Sequence, residues 1–221
     1  MQSFYDYLLE GVNDPAIFKA VFLAGGPGSG KSFIVGKTAL PALGFKVINS
    51  DEAFETALRK AGLSMDPKDI YSPKGQEVRL GAKRITGKKL DLAINGRLGL
   101  VIDGTGKNYE KIQQQAQMLR ALGYDVAMVF VNTDLETAMS RNQARARSLP
   151  DNEVQKMWSD VQRNIGKFQN FFGRNMFIVD NSDGANWQGA VNSIYKRIGQ
   201  WSRIEPKSPI AQKWIKNQRK G

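Results

Sequence analysis

Eight residues constrain this chain more than any other stretch: Gly25-Gly26-Pro27-Gly28-Ser29-Gly30-Lys31-Ser32. They follow the P-loop spacing of Gly, four residues, then Gly-Lys-Ser. The apolar run Val21-Phe22-Leu23-Ala24 before them predicts a buried strand, and Phe33 to Leu40 after them predicts the start of a helix. Glycines in such a loop let successive backbone N–H groups turn toward one anion at the positive end of the helix. Lys31 then reaches the β- and γ-phosphates of a nucleoside triphosphate, and the Ser32 hydroxyl can hold Mg²⁺. The expected cradle is Gly25, Gly26, Gly28, Ser29, Gly30, Lys31 and Ser32.

Composition narrows the chemistry. Cysteine is absent, which excludes disulfides, thiol nucleophiles and Cys-ligated zinc. Histidine is absent too, so any acid–base step falls to Asp, Glu or Lys. No apolar run approaches the ~20 residues of a membrane span, and no secretory signal is visible, so a cytoplasmic setting is expected. The formal charge of +11 over 221 residues points to an anionic partner, with plain solubility as the bland alternative.

Read in order, strands and helices alternate. Phe4, Tyr7 and Leu8 share a helical face within an N-terminal amphipathic segment, residues 1–17, which Asn13-Asp14-Pro15 breaks. Phe45-Lys46-Val47-Ile48 predicts a second strand, ending at Asn49-Ser50-Asp51-Glu52. Ligand-handling residues of an open parallel sheet sit just past the carboxyl ends of strands, so Asp51 has the position for catalysis. Ser50 or Asp51 is also suited to cap the helix Ala53 to Ala61. Residues 62–77 read as irregular, and a helix from Gln76 to Asn95 follows, its basic face carrying Arg79, Lys83, Arg84, Lys88 and Lys89.

Leu98 to Asp103 predicts a third strand with an acidic end, the outline of a Mg²⁺-holding aspartate, and Gly104-Thr105-Gly106 follows. Beyond it come a helix over Asn108 to Leu122, a strand at Val126 to Val131, and a helix opened by Asp134. That helix carries Arg141 and Arg145, four residues apart and so on one face. A helix from Asp151 to Phe172, a strand at Met176 to Val179 and a helix from Trp187 to Trp201 complete the P-loop domain, residues 18–201. The basic C-terminal tail, residues 202–221, is expected to be dispensable for folding and to help hold an acceptor, with a short helix over Ile210 to Ile215. The fold expected is α/β: a P-loop NTPase-type doubly wound sheet of about five parallel strands with helices on both faces.

The P-loop, Ile48-Asn49-Ser50-Asp51, Val101-Ile102-Asp103-Gly104-Thr105 and Arg141…Arg145 together resemble the P-loop kinases that include the phage polynucleotide 5′-kinase and the zeta toxins. The similarity covers roughly residues 18–180. Ile85-Thr86-Gly87, Gly123-Tyr124 and Ser140-Arg141-Asn142 are close to the polynucleotide kinase, whereas Asp103-Gly104-Thr105-Gly106 is nearer the zeta toxins. The resemblance implies ATP as donor, Mg²⁺ at Ser32 and Asp103, Asp51 as general base, Arg141 and Arg145 as lid arginines, and Asp103 and Thr105 on the acceptor side. Where polynucleotide kinases flank the base with arginines, this chain has Ser50 and Phe54.

The leading expectation is ATP-dependent phosphoryl transfer to a hydroxyl on nucleic acid or a nucleotide. The alternatives are a nucleotide-sugar kinase of the zeta-toxin kind and a nucleic-acid-binding or virion-packaged protein using ATP structurally. Met1 to Glu10 resembles the capsid-targeting leaders of large tailed phages, cut after Leu-x-Glu such as Leu8-Leu9-Glu10. The same residues also suit a helix packed on the domain. No Asn-Lys-x-Asp or Leu-Ser-Gly-Gly-Gln motif is present, which speaks against GTPases and transporter ATPases.

Overall fold

The computed structural model describes residues 10–37, 40–144 and 148–219. Leu8, Leu9 and Arg145 therefore lie outside the described residues. Strand β1, Lys19–Ala24, is buried at every position, so both of its faces must find apolar cover. Ala20, Phe22 and Ala24 point into one core and Val21 and Leu23 into another, as the two-residue period of a strand requires. Four further strands complete an all-parallel sheet: β2 (Lys46–Ile48), β3 (Leu100–Asp103), β4 (Asp125–Asn132) and β5 (Met176–Asp180). Their order is β2-β3-β1-β4-β5, which seats β1 centrally and β3 directly beside it.

Helices cover both faces. On one side α1 (Lys31–Lys37) contributes Ile34, and α7 (Trp187–Arg203) contributes Val191, Ile194 and Ile198. The other side receives α4 (Tyr109–Ala121) and α6 (Asp151–Phe172), through Ile112, Ala116, Leu119, Val161, Phe168 and Phe172. A satellite core of Phe54, Leu58, Ile70 and Ala82 joins α2 (Ser50–Lys60) to α3 (Pro73–Asn95). The expected P-loop NTPase-type α/β fold is the one observed.

Several local expectations are corrected. The helix after the P-loop is described through Lys37, and Leu40, expected within it, belongs instead to a 3₁₀ turn at Leu40–Leu43. The stretch read as irregular holds a helical turn at Pro67–Ile70, and α3 starts at Pro73. Ser72 caps α3, its hydroxyl accepting from Gly75 N at 3.0 Å, so Ser-Pro opens a helix here as proline at the first position permits.

The C-terminal tail is the largest correction. It folds into α8, Pro209–Gln218, and buries Ala211 and Ile215 completely or nearly so. The Trp214 ring meets Phe18 edge-on, centroids 5.5 Å apart, and Ala211 packs on the Gly123 turn. Phe18 precedes β1 and Gly123 precedes β4, so α8 closes the amino-terminal edge of the sheet, opposite the P-loop. A segment that covers core is expected to add to stability, and Lys213 and Lys216 stand at the edge of the sheet opposite the P-loop. Trp214→Ala is expected to cost about 2 kcal/mol, below the 3–5 kcal/mol of a fully buried Trp. That is a fall of roughly 4–8 °C in melting temperature, readable by calorimetry.

Candidate active site

The P-loop is shaped by close backbone approaches. Gly28 has φ +72°, and a Cβ there would lie 2.4 Å from Ala138 O on α5, Leu135–Gln143. Only glycine tolerates both the left-handed backbone and that approach. Ser29 N donates to Gly26 O and Ile34 N to Gly30 O, carrying the loop directly into α1. Lys31 Nζ donates to Gly25 O at 2.8 Å, spanning the loop from its last turn to its first residue. Gly25 N in turn donates to Thr105 O at 3.1 Å, tying the loop to the segment after β3.

Asp51 stands in the first turn of α2, just past β2. The cap of that helix is Asn49, whose Oδ1 accepts from Asp51 N at 2.8 Å, and not Ser50 or Asp51. Asn49 is the last residue before the helix, so its side chain reaches the second orphan amide. The Asp51 carboxylate is thereby left exposed on a cavity of about 850 Å³. Gly26, Ser29, Gly30, Lys31, Ser32, Asp103 and Thr105 line the same cavity. The structure thus brings together the cradle, both aspartates and the threonine singled out from the sequence. Glu52 and Glu55 also line it, and Lys31 is its sole cationic lining residue among those described.

Asp103 ends β3 opposite Leu23 of β1. Burial pushes its carboxyl up from the usual range; Lys31 opposes the rise and Asp51 adds to it. Its Oδ1 is buried without a hydrogen-bond partner, and so is Ser29 Oγ. A buried carboxylate oxygen with no donor is costly unless a cation or donor meets it. With the Ser32 hydroxyl in the same cavity, these residues fit a hydrated divalent cation beside phosphate oxygens.

Arg141 lies beside the loop, its Nη1 3.9 Å from where a Cβ of Gly30 would be. It donates to Asn181 O at 2.8 Å and pairs with Asp183 at 2.6 Å. Asn181, just past β5, is buried and donates to Ser29 O at 2.8 Å. Sequence reasoning missed this residue, although Asp180-Asn181-Ser182-Asp183 is a polar cluster at a strand's carboxyl end, like Asp51 and Asp103. Asn142 is buried and clamps Leu149 in both directions, donating to its carbonyl and accepting from its N–H. Helix α5 ends at Gln143, short of Arg145, so it does not carry the expected shared face of Arg141 and Arg145.

A family profile described as AAA domain matches residues 21–164, from β1 into α6. The chain belongs to this AAA domain family. Among curated proteins no sequence matches it significantly. Solved structures give many matches at low identity. A gluconokinase from Sinorhizobium meliloti is 15% identical with a TM-score of 0.51, over 83% of this chain and 95% of that one. The PezAT toxin–antitoxin system of Streptococcus pneumoniae gives 15% identity and a TM-score of 0.51, over 90% and 94%. The Pnkp1/Rnl/Hen1 RNA repair complex gives 20% identity and 0.52, over 68% of this chain and 46% of that one. At such identities the likeness is one of fold.

The raised pKa of Asp103 in this AAA domain has a defined sign. Its folded form holds the proton more tightly than the unfolded chain, so its contribution to stability falls as pH rises from the acid range. Asp103→Asn is expected to raise the melting temperature of the nucleotide-free protein at pH 7. The gain should shrink as pH falls toward about 4 and be gone below it, where the unfolded carboxyl is protonated as well. Mg²⁺-dependent nucleotide affinity should fall in the same variant. Equal melting curves across pH would show that the carboxylate is not penalised.

Proposed function

We propose that this AAA domain is an ATP-dependent kinase transferring the γ-phosphoryl group to a hydroxyl on nucleic acid or a nucleotide. The supporting observation is convergence: one cavity is lined by the P-loop with Lys31 and Ser32, by the exposed Asp51 and by the half-buried Asp103. Phosphoryl transfer asks for positioning and charge neutralisation more than covalent chemistry.

In this reading Asp51 accepts the proton of the attacking hydroxyl. The acceptor oxygen bonds to the γ-phosphorus as the bond to the β–γ bridging oxygen breaks, and ADP leaves. Lys31 neutralises charge on the β- and γ-phosphates. Arg141, already beside Gly30, exchanges its Asp183 partner for phosphate oxygens, with Arg145 in the same role by resemblance to the P-loop kinases. Mg²⁺ held through Ser32 and Asp103 would supply further neutralisation of phosphate charge. Asn181 acts at one remove, holding the Ser29 carbonyl and so the shape of the loop.

Label transfer from γ-labelled ATP, run in parallel on DNA, RNA, nucleosides and nucleotide sugars, tests this function. Two variants sharpen it. Lys31→Ala is expected to weaken both ATP affinity and turnover, because the lysine meets the nucleotide before and during transfer. Asp51→Asn should keep ATP affinity and lose about 10²–10⁴-fold in turnover, the usual worth of a general base. Near-normal turnover of Asp51→Asn on every acceptor removes the base assignment.

A further inference from the structure

A second cavity adjoins the first. It holds about 730 Å³ between α1, β2 and α3, and its walls are mainly apolar: Val35, Phe45, Leu92 and Leu98. It shares Ser32, Asn49, Glu52 and Asp103 with the catalytic cavity, so a group seated in it lies next to the phosphate-handling residues. The volume suits a nucleoside-sized body. Lys31 and Asp51 lie in the neighbouring cavity and Ser32 and Asp103 on the border of the two, so phosphoryl transfer as described leaves the apolar walls of this one unused.

Its rim continues along α3 in an unusual way. Ile85, Lys89 and Leu92 recur at helical spacing on one stripe, and Arg84 and Lys88 stand four apart beside it. Ile85 is 63% exposed and Leu92 70% exposed, large apolar side chains turned to solvent. Between residues 83 and 92 the helix carries Lys83, Arg84, Lys88 and Lys89 against the single acid Asp91. Lys89, whose Nζ donates to Val47 O at 3.0 Å, lines the cavity itself. Cations interleaved with exposed apolar groups match the alternation of phosphates and base faces in a single strand. The catalytic cavity, by contrast, offers an acceptor Asp51, Glu52 and Glu55, which repel phosphate.

We propose that the apolar cavity receives an uncharged nucleobase of the acceptor, while strand phosphates run along Arg84, Lys88 and Lys89 of α3. The inference rests on reading the adjoining cavity as a kinase site. It assigns the acidic wall to the hydroxyl end of the acceptor and the basic charge to the strand outside.

Binding without ATP tests it separately from transfer. The probe is a single-stranded oligonucleotide with one central 2-aminopurine, titrated at several salt concentrations. Emission of the probe base is expected to rise on binding, as the base leaves its stack for the cavity. Leu92→Glu, at an exposed position, should remove that rise and weaken binding at least tenfold. The double variant Arg84→Ala with Lys88→Ala should make the salt slope shallower by about 1.4, at roughly 0.7 per phosphate contact. Circular dichroism checks that each variant is folded.

Three results would overturn the proposal. One is an abasic strand or inorganic polyphosphate that binds as tightly as the probe. Another is a double variant with unchanged slope. The third is a free nucleoside that binds as tightly as the strand without salt dependence. Failure of γ-phosphoryl transfer with binding intact would sink the kinase reading and leave this one standing.

Discussion

The contact of Gly28 with the Ala138 backbone is the constraint on which the rest of the site depends. A side chain at residue 28 would push the loop off α5, and α5 carries Arg141 one turn beyond Ala138. The same approach therefore shapes the phosphate cradle and delivers its neighbouring guanidinium. On the other flank Asn181 holds Ser29 O, and behind the loop Thr105 O holds Gly25 N. The loop is fixed from three elements that are far apart in sequence, so its amides are oriented before any ligand arrives. Such preorganisation is what electrostatic stabilisation of a transferring phosphoryl group requires.

Sheet order makes the second essential placement. Because β3 lies beside β1, the end of β3 falls level with the start of the P-loop, and Asp103 faces Lys31 across a short gap. Because β2 is the next strand out, the helix that follows it carries Asp51 to the far side of the same cavity. Three strand ends thus place the P-loop, Asp103 and Asp51, the proposed cradle, cation ligand and base, in a row. Their spacing follows from the separation of parallel strands, about 4.8 Å per step.

Much of this was legible in the sequence because buried parallel strands leave near-continuous apolar runs, each punctuated at its carboxyl end. Val21 to Ala24, Val101 to Asp103 and Val126 to Val131 are read that way. Other features left no local pattern. The bond from Asn181 to Ser29 joins residues 152 positions apart. The cap at Asn49 competed with two equally good neighbours, and only the geometry at the end of β2 chose between them. Helix α8 was misread because its apolar residues are few, yet Ala211, Trp214 and Ile215 lie on one face and meet Phe18 and Gly123 there. Charge patterning hid this packing: the net charge of the tail suggested a ligand surface, whereas α8 also covers the sheet edge opposite the P-loop.

The pairing of Phe18 with Trp214 also has a bearing on how the chain is made. Phe18 stands at the entrance to the central strand and leaves the ribosome long before Trp214 does. Sheet and flanking helices have their partners long before that, but the edge beneath β1 and β4 stays open until α8 arrives. Contacts closing so long a loop are slow to form and leave apolar surface uncovered meanwhile. A nascent chain of this protein thus stays open at the end of the sheet opposite the P-loop until α8 seals it.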